Sequence, residues 1–162
     1  MRELVRYRKS LIEERSRELN RLQKILEGAN IKLASAVKDI NGVSSRKLLE
    51  RIIADDLPDA DEVSRMIHKR MLPKLTQIMA SIEGIVTPLQ RRLLSQVLGH
   101  IDDLNQRIMT LDTMVKDYMT EYEAAIAAID ELPGIGRRSA KVILAEIGCS
   151  LSGSGGRLLQ QI

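Results

Sequence analysis

The chain has 162 residues, no Phe or Trp, three Tyr, and 25 Lys/Arg against 22 Asp/Glu. A core without large aromatics must be built from Leu, Ile, Val, Met and Ala, which suits packed helices and disfavours a β-sandwich or a doubly wound sheet; 44% hydrophobic and 29% charged residues exclude a disordered chain. No apolar run approaches the roughly 18 residues that span a bilayer, the start MRELVRYRKS lacks the apolar stretch of a secretory signal, and the single Cys149 excludes an internal disulfide.

The expected fold is therefore all-α, in a cytoplasmic protein with no membrane partner. Leu4, Leu11, Leu19, Leu22, Leu26, Leu33, Val37 and Ile40 recur at three-, four- and seven-residue steps, which predicts a long helix over 2–40 with Gly28 as a candidate break. Asn41-Gly42 ends it. The basic excess lies in this region: residues 1–50 carry 12 Lys/Arg and 7 Asp/Glu. Arg6, Arg8, Lys9, Arg17 and Arg21 are candidate nucleic-acid contacts along the helix. Interspersed Glu3, Glu13, Glu14 and Glu18 leave a solvated helix face as the equal reading.

A shorter helix is expected over 44–54, followed by an acidic, proline-bearing loop. The helix after it spans 60–83, interrupted or begun again around Pro73 and closed at Gly84. Thr87-Pro88 then marks a helix start, with Pro at the first helical position. From there Leu94, Leu98, Ile101, Leu104, Ile108, Leu111, Val115, Tyr118, Tyr122, Ile126 and Ile129 step by three or four, the spacing of a coiled coil or long bundle helix over 87–131. A stripe of that length needs a long partner. The N-terminal helix, lying antiparallel, or a second copy of the chain can supply it, and a homodimer through the coiled coil is expected.

The stretch LPGIGRRSAKVILAEIG at 132–148 carries most of the functional signal. Gly134 and Gly136 flank Ile135, so the chain can take positive φ on either side of a core-pointing side chain while the turn's N–H groups stay bare. The helix that follows would aim its unsatisfied N–H groups and positive dipole end at the same place. Arg137, Arg138 and Lys141 add positive charge, and no acidic residue lies between Pro133 and Ala145. Ala140, Ile143, Leu144 and Ile147 can pack on Ile126, Ile129 and Leu132. The pattern is that of a helix-hairpin-helix gripping DNA phosphate through Pro133, Gly134, Ile135, Gly136, Arg137, Arg138, Ser139 and Lys141; the plainer alternative is a tight turn between packed helices.

Catalytic constellations are poor. His68 and His100 stand alone on helices without metal-ligand spacing. Asp102-Asp103 and the cluster Asp55, Asp56, Asp59, Asp61, Glu62 read as solvated or capping carboxylates, and Cys149, Ser152 and Ser154 have no identifiable base. The residues alone indicate no catalytic site, no metal site and no cofactor.

Three stretches in this order resemble transposases of the insertion-sequence 110/116/902 family: LVRYRKSLIEERSRELNRLQKIL at 4–26, LLSQVLGHIDDLNQRIMTLDTMV in the coiled coil, and LPGIGRRSAKVILAEIG. The resemblance spans about residues 1–148. It implies a nuclease domain whose four acidic residues bind Mg, then a coiled coil, then a C-terminal domain that opens with the hairpin and supplies a catalytic serine. Some members use a guide RNA. The acidic segment is absent here, and Ser152-Gly153 and Ser154-Gly155 come too soon after Ile147 to be that serine; Ser44-Ser45 stands where relatives often carry Ser-Gly. The expected organisation is a coiled-coil region at 1–124, the start of the C-terminal transposase domain at 125–148 and a Gly/Ser-rich unstructured tail at 149–162. The expectation is a transposase fragment, truncated at both ends, that binds DNA and does not cut it. A stand-alone helix-hairpin-helix accessory protein of repair or recombination is the alternative, and a coiled-coil interaction protein without a nucleic-acid role is the second.

Overall fold

A computed structural model of the chain describes residues 2–120 and 122–143. Every regular element among them is helical: α1 (Arg2–Gly28), α2 (Leu33–Ala36), α3 (Val43–Ile53), α4 (Ala60–Met66), a 3-10 helix (Lys69–Lys74), α5 (Leu75–Ser81), α6 (Pro88–Thr120) and α7 (Glu123–Asp130). Residues 137–143 are helical as well. The fold is all-α. No described helix is long and apolar enough to cross a membrane. Two compact units are present, one of residues 14–104 and one whose described residues are 2–13, 105–120 and 122–143.

The unit of residues 14–104 holds the larger core. Leu22, Leu26, Ile31, Leu33, Leu48, Leu49, Ile52, Val63, Ile78, Leu94 and Ile101 are buried together. Leu22, Leu26, Leu33, Leu94 and Ile101 among them are apolar positions of the helical pattern, and burial of this cluster is what holds the short helices on the long ones. α5 packs on α2, α4 and the 3-10 helix, and α3 packs on α4. Within this unit the α1 and α6 segments run antiparallel: His100 Nε2 lies 3.2 Å from Glu14 Oε1 at one end, and at the other a Cβ on Gly28 would sit 3.9 Å from Gln90 Nε2.

The helix expected over 2–40 ends at Gly28. The Ile31 N–H donates to the Leu26 carbonyl (2.8 Å) and the Asn30 N–H to Glu27 (2.9 Å), with Asn30 left-handed at φ 60°. This is a Schellman closure in which Asn takes the place usually held by Gly, and buried Ile31 and Leu26 supply its apolar contact. α3 closes in the same way through Asp55 (φ 61°), with the Asp56 N–H donating to the Arg51 carbonyl at 3.0 Å.

The helix expected over 60–83 is three pieces. Asp59 and Glu62 form a capping box on α4, the Glu62 N–H donating to Asp59 Oδ1 at 2.8 Å and the Asp59 N–H to Glu62 Oε2 at 3.2 Å. Beyond Met66 the backbone is extended at Ile67 and His68, where the His68 N–H donates to the Ser44 hydroxyl at 3.0 Å. Pro73 lacks an N–H and sits in a 3-10 segment, whose hydrogen bonds differ from those of an α-helix. His68 accordingly lies before the 3-10 helix rather than on a helix.

α6 starts at Pro88, as the Thr-Pro pair implies. Thr87 Oγ1 accepts from the Gln90 N–H (3.3 Å) and Gln90 Oε1 from the Thr87 N–H (2.9 Å). The expected continuous helix to 131 is divided. α6 ends at Thr120, Tyr122 (φ −113°, ψ 16°) is non-helical, and the Ile126 N–H bonding to the Tyr122 carbonyl begins α7. In the other unit, Met119 and Ile126, on either side of the break, are buried with Ala140, and Val5, Val115, Tyr122, Ala125, Ile129 and Ile135 pack around them.

Candidate nucleic-acid interface

α7 hands over to the candidate turn by overlapping bonds, the Glu131 N–H to the Ala127 carbonyl (3.2 Å) and the Leu132 N–H to Ile129 (3.1 Å). Pro133 and Gly134 then occupy the centre of a four-residue turn closed by the Ile135 N–H donating to the Leu132 carbonyl at 3.1 Å, with Gly134 at φ 84°. Pro followed by a left-handed Gly is the signature of a type II turn. Gly136 serves as the cap of the next helix, its carbonyl accepting from the Ala140 N–H at 3.0 Å. Ile135, between the glycines, is half-buried and packs on the cluster of Met119, Ile126 and Ala140.

Three expectations about the turn change on this geometry. Positive φ occurs at Gly134 and not at Gly136, because one left-handed residue is enough to reverse the chain in a type II turn. Ile135's N–H is not bare; it closes the turn. Leu132 is exposed rather than packed under the following helix, while Ala140 is fully buried against Ile126 and Ile143 is half-buried. Leu144 and Ile147 lie outside the described residues, as do Cys149, Ser152, Ser154 and the tail at 149–162.

The approach to the turn is open. A Cβ placed on Gly134 or on Gly136 meets no heavy atom within 4 Å, and Pro133, Gly134, Gly136, Arg137, Arg138, Ser139 and Lys141 are all exposed. Among the described residues the N–H groups of Gly134 and Gly136 have no hydrogen-bond partner. Charge is distributed less simply than the sequence suggests. Arg137 is ion-paired to Glu123, the first residue of α7, whereas Arg138 and Lys141 have no carboxylate within ion-pair distance among the described residues. Lys141 lines a shallow depression of about 330 Å³ with Asp112, Lys116, Thr120 and Glu123. Sequence reasoning counted carboxylates only after Pro133 and so missed Glu123, which the fold returns to the turn from one helix earlier.

The N-terminal basic residues fall into both units. Arg8 is ion-paired to Asp112, Lys9 Nζ lies 3.9 Å from Glu13, and Arg21 Nη1 lies 2.8 Å from the buried carboxylate of Glu18. Arg6 and Arg17 are exposed. Arg8, Lys9 and Arg21 thus share their charge with a carboxylate of the same chain, which weakens a continuous basic stripe along α1.

Other polar residues have structural partners. Asp102 takes Arg46 (2.5 Å), Asp55 takes Arg91, and Arg51 bridges Asp56 (2.9 Å) and Glu62 (3.1 Å). Among the described residues no three His, Cys, Asp or Glu side chains group as metal ligands would. Comparison of the chain with protein-family models, with curated proteins and with solved structures finds no match.

Proposed function

We propose that the chain is a DNA-binding part of a transposase resembling the insertion-sequence 110/116/902 family, binding through a helix-hairpin-helix at 125–148 and dimerising through the α6 coiled coil. The observation that carries this reading is the turn at Pro133–Gly136, whose two exposed glycines leave the backbone approachable beside Arg138, Ser139 and Lys141. A phosphate oxygen reaching the Gly134 and Gly136 N–H groups would meet positive charge from both side chains and from the start of the following helix. Such contacts hold the DNA backbone and are indifferent to sequence.

Dimerisation is supported by Met109 and Met114, which are 63% and 51% exposed on α6. A family guide RNA is a second candidate ligand, and the family's Mg-dependent chemistry is assigned to residues other than these. The chain on its own is proposed to bind without cutting.

Fluorescence anisotropy with a short labelled duplex tests the reading. Binding should weaken steeply as salt rises, and the doubly substituted R138A/K141A chain should lose affinity with a log–log salt slope smaller by about 2, one for each phosphate contact removed. Absence of binding at low salt would leave the plainer reading, in which the turn only joins two helices and the long helices serve protein interaction. The Arg137–Glu123 pair favours that second reading, because it partly neutralises the hairpin. Metal-dependent cleavage by the purified chain would overturn the claim that it only binds.

A further inference from the structure

The unit of residues 14–104 contains a second concentration of positive charge that the hairpin does not use. Between Glu62 and Glu83 the chain carries Arg65, Lys69, Arg70 and Lys74 and no carboxylate, and between Glu27 and Glu50 the only one is Asp39. The fold brings these two acid-poor segments together around one concavity of about 490 Å³, lined among others by Lys38, Asp39, Ser44, His68, Arg70 and Lys74. Its two walls are joined directly, since the His68 N–H donates to the Ser44 hydroxyl at 3.0 Å.

The polar groups of this concavity are set for an anion. Lys38, Arg70 and Lys74 are exposed and have no carboxylate within ion-pair distance among the described residues, whereas Arg46, Arg51 and Arg91 of the same unit each hold one. Asp39, the one carboxylate present, is turned to local work: its Oδ1 accepts the Asn41 N–H at 2.9 Å and its carbonyl accepts the Ser45 hydroxyl at 2.7 Å. His68 Nδ1 accepts the Arg70 N–H at 3.2 Å, which leaves Nε2 as the ring's donor. The Ser44 hydroxyl accepts from His68 and keeps its own hydrogen to donate.

We infer that the concavity between the start of α3 and the 3-10 helix is a phosphoryl-binding site, with Arg70, Lys74 and Lys38 as its charges and Ser44 and His68 as its further donors. A tetrahedral dianion suits it because residues bearing several donors, fixed and mobile, line one open pocket. The phosphoryl group can belong to a nucleic-acid backbone or to a small phosphorylated compound, and the site does not depend on the hairpin reading.

The test uses the full chain, with amide and His ring NMR shifts recorded during titration with inorganic phosphate and, separately, with a short DNA duplex. Saturable shifts at Ser44, Ser45, His68 and Arg70, with half-saturation by about 10 mM phosphate, are expected. R70E/K74E, two exposed substitutions whose effect on folding is checked by the unchanged remainder of the spectrum, should weaken phosphate binding at least about tenfold. The same shifts with both ligands assign the site to nucleic-acid backbone, and shifts with phosphate alone assign it to a small phosphorylated compound. No shifts at these residues with either ligand, or shifts untouched by R70E/K74E, overturn the inference.

Discussion

Arg137 and Glu123 form an ion pair that joins the first residue of α7 to the first helical residue after the turn, and both side chains are about half exposed. The pair closes the hairpin from the outside while Ile135 and Ala140 close it from within. It also places a carboxylate beside one of the basic residues that follow the turn.

Glu123→Gln should therefore raise affinity for duplex DNA at low salt by about 1.4- to fivefold, the range that follows from the roughly 0.2–1 kcal/mol of an exposed pair. Thermal stability should fall by no more than a similar amount. Anisotropy titrations of both chains at two salt concentrations check this. Equal affinities would mean that Arg137 takes no part in binding.

The two glycines of the turn should respond differently to substitution. Gly134 is left-handed, so Gly134→Ala costs about 1–2 kcal/mol of stability although a Cβ has open space around it. Gly136 has no such φ and equally open space, so Gly136→Ala should change the melting temperature little. A bulky residue at either position should obstruct the backbone approach and lower DNA affinity. Denaturant unfolding of the two alanine variants separates strain from obstruction, and equal stability losses would contradict the type II geometry.

Much of this was legible in the sequence. The apolar spacing of Leu22, Leu26, Leu94 and Ile101 marks a helical core, and all four are buried. Thr87-Pro88 and Pro133-Gly134 announce a helix start and a turn through their own backbone preferences. Less legible were features that depend on residues brought together by folding. The ends of α1 and α3 use Asn30 and Asp55 at left-handed positions, where a composition-based reading looks for Gly. The break between α6 and α7 carries no Pro or Gly, and lies between Met119 and Ile126, which are buried together with Ala140. Glu123 was invisible as a partner of Arg137 for the same reason.

Asp59 offers a check on the local chemistry of the acidic loop. Its carboxylate accepts the Glu62 N–H and its own N–H donates back to Glu62, so Asp59→Ala removes one half of the capping box. The loss should be about 0.5–2 kcal/mol. Asp61→Ala, two residues further on and without a capping bond through its side chain among the described residues, should cost less. Urea unfolding midpoints of the two variants compare them directly, and a larger loss at Asp61 would mean that the cap is not what orders this loop.

Gly84 and Gly99, in the same unit, should shift stability in opposite directions when replaced by Ala. A Cβ on Gly84 would lie 2.3 Å from the Ala29 carbonyl oxygen and 2.6 Å from Ile31 Cγ1. Neither can yield cheaply, because Ile31 is buried and the neighbouring strands of loop are joined by the Lys32 N–H donating to the Ser81 carbonyl at 2.8 Å. Overpacking of this kind costs about 1–3 kcal/mol, enough to lower the melting temperature by roughly 2–12 °C in a chain of this size. Gly99 lies exposed within α6 with nothing within 4 Å of a new Cβ, so Ala there gains helix propensity of about 0.5–1 kcal/mol. Thermal melts of the two variants should bracket the parent chain, and a Gly84→Ala chain as stable as the parent would show that the loops at 29–32 and 81–84 do not touch as described.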